Sequence, residues 1–159
     1  MLRLVLAVAL AASLVAVATP PVEDARTTRT ERLTERELGR VAAAADSLVR
    51  EEDPGARRTL RLSLPGESPT EARLAYVSLG GIPDGESAVD TGESDVLAYR
   101  VAGGRRHVLR VETDLRIVRE GRPTGSDSRP LVLRGGESRR LTLRLGRHDG
   151  RPVVMVERR

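Results

Sequence analysis

The chain of 159 residues has no Cys, Trp, Phe, Lys, Asn or Gln. Each absence removes a class of function. Without Cys there are no disulfides, zinc–thiolate sites or thiol nucleophiles. Without Asn there is no N-glycosylation of this chain. Two Tyr are the only aromatics, too few for the stacking platforms that hold single-stranded nucleic acid. No nucleic-acid motif is present either, so no nucleic-acid partner is expected. All 27 basic residues are Arg, set against 23 acids, for a net charge of +4. Codon usage in a G+C-rich genome accounts for Arg in place of Lys.

The N-terminus carries the longest uncharged run. Leu4 to Thr19, LVLAVALAASLVAVAT, follows Arg3 and precedes Glu23 and Asp24. Positive charge before such a run orients the amino end toward the cytoplasm. Sixteen residues fall short of the ~20 that a spanning helix requires; extension through Val22 approaches that length but takes in Pro20 and Pro21. Ala16-Val17-Ala18 also forms an A-x-A cleavage pattern. Residues 1–21 are therefore expected to be a transmembrane anchor, with signal-peptide cleavage after Ala18 as the alternative. On either reading the remainder lies outside the cytoplasmic membrane, in the cell membrane's extracytoplasmic space or secreted.

Residues 22–53 read as an amphipathic helix. Leu38, Val41, Ala45 and Leu48 share one face. Arg32/Glu35, Glu37/Arg40 and Asp46/Arg50 are spaced to pair on the solvent side. Glu51-Glu52-Asp53-Pro54-Gly55 stops the helix, because Pro54 restricts Asp53. From residue 54 to 159 the period changes to two. Leu60, Leu62 and Leu64 alternate with polar residues, as do Leu141, Leu143 and Leu145. Ala72–Leu79, Val96–Ala102, His107–Val118, Leu131–Leu133 and Val153–Glu157 are further runs. No helical crossover intervenes, so about seven short strands in one antiparallel sheet are expected. The core is aliphatic, and the helix should cover its apolar face. The fold class is α+β.

Charge is segregated. Residues 1–53 carry −2, residues 54–95 carry −3 and residues 96–159 carry +9. A basic half of this kind suits protein partners with acidic surfaces. On the run around Leu141–Leu145, the leucines face the core, so Arg140 and Arg144 face out. Arg134, from the preceding run, is expected near them. Together these three form the expected docking surface. Gly80 to Asp95 holds Asp84, Glu86, Asp90, Glu93 and Asp95, but without EF-hand spacing. It reads as a solvated loop rather than a calcium site. His107 and His148 are isolated, and no nucleophile elbow, zinc spacing, P-loop or Rossmann fingerprint occurs. No catalytic residue, metal, cofactor or small-molecule substrate is expected, and the chain reads as non-enzymatic.

The order of these segments resembles type IV pilins and pseudopilins: a short charged start, an apolar helix, proline near residue 20, Glu23-Asp24, an amphipathic helix and a β-rich head. The resemblance implies that Leu4–Thr19 is the anchoring half of the helix, Pro20 its kinking proline and Val22–Arg50 its outer half, lying against the head. The chain also looks like a small uncharacterised haloarchaeal family associated with pilus-type machinery, on LRLVLAVAL and PPVEDARTTRTERL. Both imply a membrane-anchored accessory component of a pilus-like or secretion apparatus. A secreted β-rich binding protein released after Ala18 is the alternative.

Overall fold

A computed structural model describes residues 2–83, 95–119, 121–123, 130–136 and 138–158, and within its helix the side chains of 5–8 and from Val22 onward. Among the described residues, helix α1 (Leu2–Glu51) is followed by nine strands, against the seven or so expected. These are β1 (Arg57–Ser63), β2 (Leu74–Leu79), β3 (Val96–Val101), β4 (Arg106–Arg110), β5 (Asp114–Arg119), β6 (Arg122–Pro123), β7 (Leu131–Leu133), β8 (Ser138–His148) and β9 (Arg151–Arg158). The α+β class stands.

The expected single sheet is instead two. One has five strands in the order β1-β8-β9-β5-β6, the other four in the order β4-β3-β2-β7. The arrangement is not wholly antiparallel, because β5 and β9 pair in parallel. A parallel pair needs a long crossover. Here the chain between β5 and β9 supplies it through β7 in the other sheet and the β8–β9 hairpin, with no helix among its described residues. The run His107–Val118 likewise divides. Its first part is β4 of the smaller sheet and its second is β5 of the larger, with buried Val111 and Thr113 at the crossing.

Helix α1 continues without interruption through Pro20 and Pro21 to Glu51. Among the described residues no helix is long and apolar enough to cross a membrane. Most of the run Leu4–Thr19 lies outside the described side chains. From Thr30 the helix buries one stripe: Thr30, Thr34, Leu38, Val41, Ala45 and Leu48. The last four are the face expected from spacing. They join one core with Leu62, Leu79, Tyr99, Leu115, Leu141, Leu143 and Val156, drawn from both sheets. Strands β2 and β3 are buried on both faces, against the expectation of one wet face, and Tyr76, Val96 and Ala98 form a second small cluster.

Of the surface pairs expected on the helix, Arg40 Nη1 meets Glu37 Oε1 at 2.9 Å. Asp46 does not pair with Arg50. It accepts a hydrogen bond from the Thr113 hydroxyl at 3.3 Å, while Arg50 stands 3.9 Å from Glu112. The sheet crossing brings these two partners to the helix, and a local spacing rule cannot anticipate them.

The polar end of the stripe is fastened rather than packed. The Thr30 hydroxyl accepts from the Ala72 N–H at 2.8 Å and donates to the Ala72 carbonyl at 3.2 Å. The Thr34 hydroxyl donates to the Thr30 carbonyl at 2.8 Å, within the helix. The two threonines should therefore respond differently to an isosteric apolar replacement. Thr30→Val strands a buried N–H and should lower unfolding stability by about 1–3 kcal/mol. Thr34→Val removes only a back-bond to a carbonyl of its own helix and should cost under about 1 kcal/mol. Urea denaturation of both variants checks the order, and equal losses would refute it.

Candidate functional site

Strand β8 pairs with β1 in the register Arg57↔Arg144, Thr59↔Thr142 and Arg61↔Arg140. The leucines of β8 point into the core, so these six residues face outward. Arg57, Arg61, Arg140 and Arg144 are exposed. Arg58, one position off, points the other way. It reaches Ser47 at 3.1 Å and stands 3.9 Å from Glu52.

The ladder also fixes how close the arginines sit. The Leu145 N–H donates to the Ala56 carbonyl at 3.0 Å. In an antiparallel pair, hydrogen-bonded and non-hydrogen-bonded positions alternate. The two Arg–Arg positions are therefore non-hydrogen-bonded, where Cα atoms approach to about 4.5 Å and side chains stand closest. Like charges placed directly opposite are destabilising. No ion pair or hydrogen bond among the described residues relieves these four guanidinium groups. Among the described residues an acid on that face is Glu157, opposite Thr142. Further along, Asp114 is taken by Arg116, whose Nε and Nη2 donate to one carboxylate oxygen at 3.0 and 2.9 Å.

Of the three residues expected as a docking row, the structure brings Arg140 and Arg144 together. Arg134 follows β7, a strand of the other sheet, and stands outside the row. Its loop is held by Gly135, where a Cβ would fall on the Pro65 carbonyl oxygen and against Leu74. Arg57 and Arg61 were missed from sequence because their strand lies far from β8 in the chain. Only the cross-strand register joins them.

Two concavities lie elsewhere. A groove of about 820 Å³ runs along α1 beside Pro69 and Thr70, lined by Val22, Arg26, Arg29 and Leu33 among others. Arg26 forms part of its wall, bonded to Glu23, the Ser68 carbonyl and the Glu71 carbonyl. A polar cavity of about 650 Å³ gathers Glu112, Asp114, Arg116, His148 and Asp149. Its charges are largely spent on each other, with His148 3.5 Å from Asp149. Among the described residues no group of three or more acids or histidines is placed to hold a metal. Of the acidic loop, residues 84–94 lie outside the described residues.

The other histidine joins the helix to the smaller sheet. His107 stacks on Tyr99, with ring centroids 4.7 Å apart and planes 7° from parallel. Its Nε2 lies 3.1 Å from Glu31 Oε1. Burial pushes the Tyr99 phenol up to about 12, with Glu35 and Glu31 adding to the rise. The folded state thus holds its proton more tightly than the unfolded chain, whose tyrosine titrates near 10. That contribution to stability is fully present below pH 10 and is lost as pH rises through about 12. Absorbance titration of phenolate should resolve a late-titrating tyrosine, and Tyr99→Phe should flatten the fall in stability above pH 10. A normal titration of both tyrosines would contradict the assignment.

No curated protein and no solved structure matches the chain significantly. The whole chain, residues 1–159, matches one family, and it belongs to that family, described as Domain of unknown function (DUF7311).

Proposed function

We propose that the protein is a non-enzymatic, membrane-anchored, pilin-like accessory component of a type IV pilus-like or secretion apparatus. The observation that carries this reading is the single helix Leu2–Glu51, which contains both the uncharged N-terminal run and the stripe on which the two sheets pack. A membrane segment continuous with the core of the head would transmit position and load between bilayer and head. The arginine face on the head supports a role in docking protein partners with acidic surfaces.

A second reading is a secreted β-rich binding protein released by cleavage after Ala18. It is favoured by a different observation. The described contacts of α1 with the head begin at Arg26 and Thr30, so loss of residues 1–18 would leave them intact. Fractionation with N-terminal sequencing separates the two. A mature terminus at Met1 or Leu2 in membranes supports the anchor, and one at Thr19 in the medium supports release.

A variant tests the anchor directly. Each Arg near the centre of a membrane helix costs about 2.5–3.5 kcal/mol on the insertion scale. Leu10→Arg with Leu14→Arg should therefore abolish retention in salt-washed membranes. Undiminished retention of this variant would sink the anchor reading.

A further inference from the structure

We propose that Arg57, Arg61, Arg140 and Arg144 form a two-seat clamp for an extended acidic polypeptide. Each seat is one cross-strand arginine pair, Arg57 with Arg144 and Arg61 with Arg140. Between them lies the Thr59–Thr142 pair. The site goes beyond the anchoring role; only the choice of a polypeptide over a lipid surface rests on that reading.

The chemistry of the ligand follows from the seats. Two exposed arginines directly opposite each other on the ladder, with no carboxylate across from them, present a forked array of donors. Guanidinium matches the planar, two-oxygen geometry of a carboxylate. Seating one carboxylate between the two charges converts their mutual repulsion into attraction to a shared anion.

The spacing of the seats selects an extended chain. Arg57 and Arg61 are four residues apart on one strand, about 13–14 Å at the rise of antiparallel strands. A second extended polypeptide laid along the strands has the same rise, and its residues i and i+4 point to the same side. Carboxylates at i and i+4 therefore fall on both seats in register. The residue at i+2 falls over the two threonines, whose hydroxyls serve a short polar side chain. Glu157, opposite Thr142, sets a limit on the far side of β8 by repelling carboxylates there.

The orientation of the face argues against a lipid surface. Glu37 of α1 accepts from the Ser63 N–H at 3.1 Å, and Ser47 accepts from Arg58 at 3.1 Å. The helix thus runs antiparallel along β1, and the arginine rows run along the helix axis. A bilayer crossed by the N-terminal end of α1 would meet only the Ser63 end of the clamp. A neighbour standing beside the protein meets all of it.

The test uses the full chain purified in detergent and a labelled peptide of about twenty residues, with Glu at every fourth position in a Thr/Val background. A control peptide of the same composition carries the same number of Glu at successive spacings of three, which splits the carboxylates between two faces. Fluorescence anisotropy should show the first peptide binding at least about tenfold tighter than the control, a preference that the register requires. Arg61→Thr with Arg140→Thr, which copies the neighbouring threonine pair, should weaken binding at least about tenfold while the thermal midpoint holds or rises. Arg61→Lys with Arg140→Lys keeps the charge and should still lose several-fold, because ammonium lacks the planar fork. Arg32→Glu with Arg105→Glu removes as many exposed arginines elsewhere and should leave binding within about twofold, since long-range charge is screened. No peptide binding, no preference for register, or equal loss in the Arg32/Arg105 variant would overturn the clamp. Tighter binding of phosphatidylglycerol vesicles or a sulfated polysaccharide through the same four residues would overturn the polypeptide assignment.

Discussion

Both sheets close on the buried stripe of α1. The chain has no Phe or Trp, and Tyr76 and Tyr99 are its only tyrosines. A core of Leu and Val gains about 1.5–3 kcal/mol for each large side chain fully removed from water, and it needs close packing to collect that gain. Leu38, Val41, Ala45 and Leu48 fill the space where the inner faces of the two sheets meet. Small residues at Ala44 and Ala45 let strands approach the helix axis closely. Where the stripe turns polar, at Thr30, a pair of hydrogen bonds to the Ala72 backbone replaces packing. The same helix therefore fixes the larger sheet, the smaller sheet and the 65–73 connection.

The division into two sheets was hidden for a physical reason. Leu109, Val111, Thr113, Leu115 and Ile117 share one parity and all turn toward the interior. On facing sheets, a chain that crosses from one to the other without an inserted residue keeps the same side chains in the core. Alternation alone cannot distinguish that crossing from one long strand. The parallel pairing of β5 with β9 was hidden in the same way, since its crossover runs through a strand of the opposite sheet. The helix, the strand runs other than the two-residue β6, and the inward face of β8 were legible because each depends on local period. Sheet membership depends on contacts that no local period carries.

The arginine face divides along the same line. That Arg140 and Arg144 face outward follows from Leu141, Leu143 and Leu145 facing inward. That Arg61 and Arg57 stand opposite them follows only from register. Arg134 is near Arg140 in sequence but follows a strand of the other sheet. Thr30 and Thr34 were missed because a polar residue interrupts a hydrophobic stripe unless its hydrogen-bond partner is known. In each case the missing information is a long-range pairing.

Composition explains which basic residue the chain uses but not where it puts it. Codon bias substitutes Arg for Lys one codon at a time, without reference to what lies across the ladder. The chain has 23 acids to distribute, and an acid opposite any of these four arginines would turn a repulsive cross-strand pair into a favourable one. At Arg58, one position away on the same strand, a different solution is used: its cross-strand neighbour is Leu143, and Ser47 and Glu52, from outside the ladder, receive the guanidinium. At Thr59 and Thr142, between the two seats, a neutral pair is used. The strand pair thus contains both alternatives to opposed charge and adopts neither at its two ends. A local conflict of this kind, uncompensated among the described residues, is what a carboxylate-bearing partner in the proposed clamp would relieve.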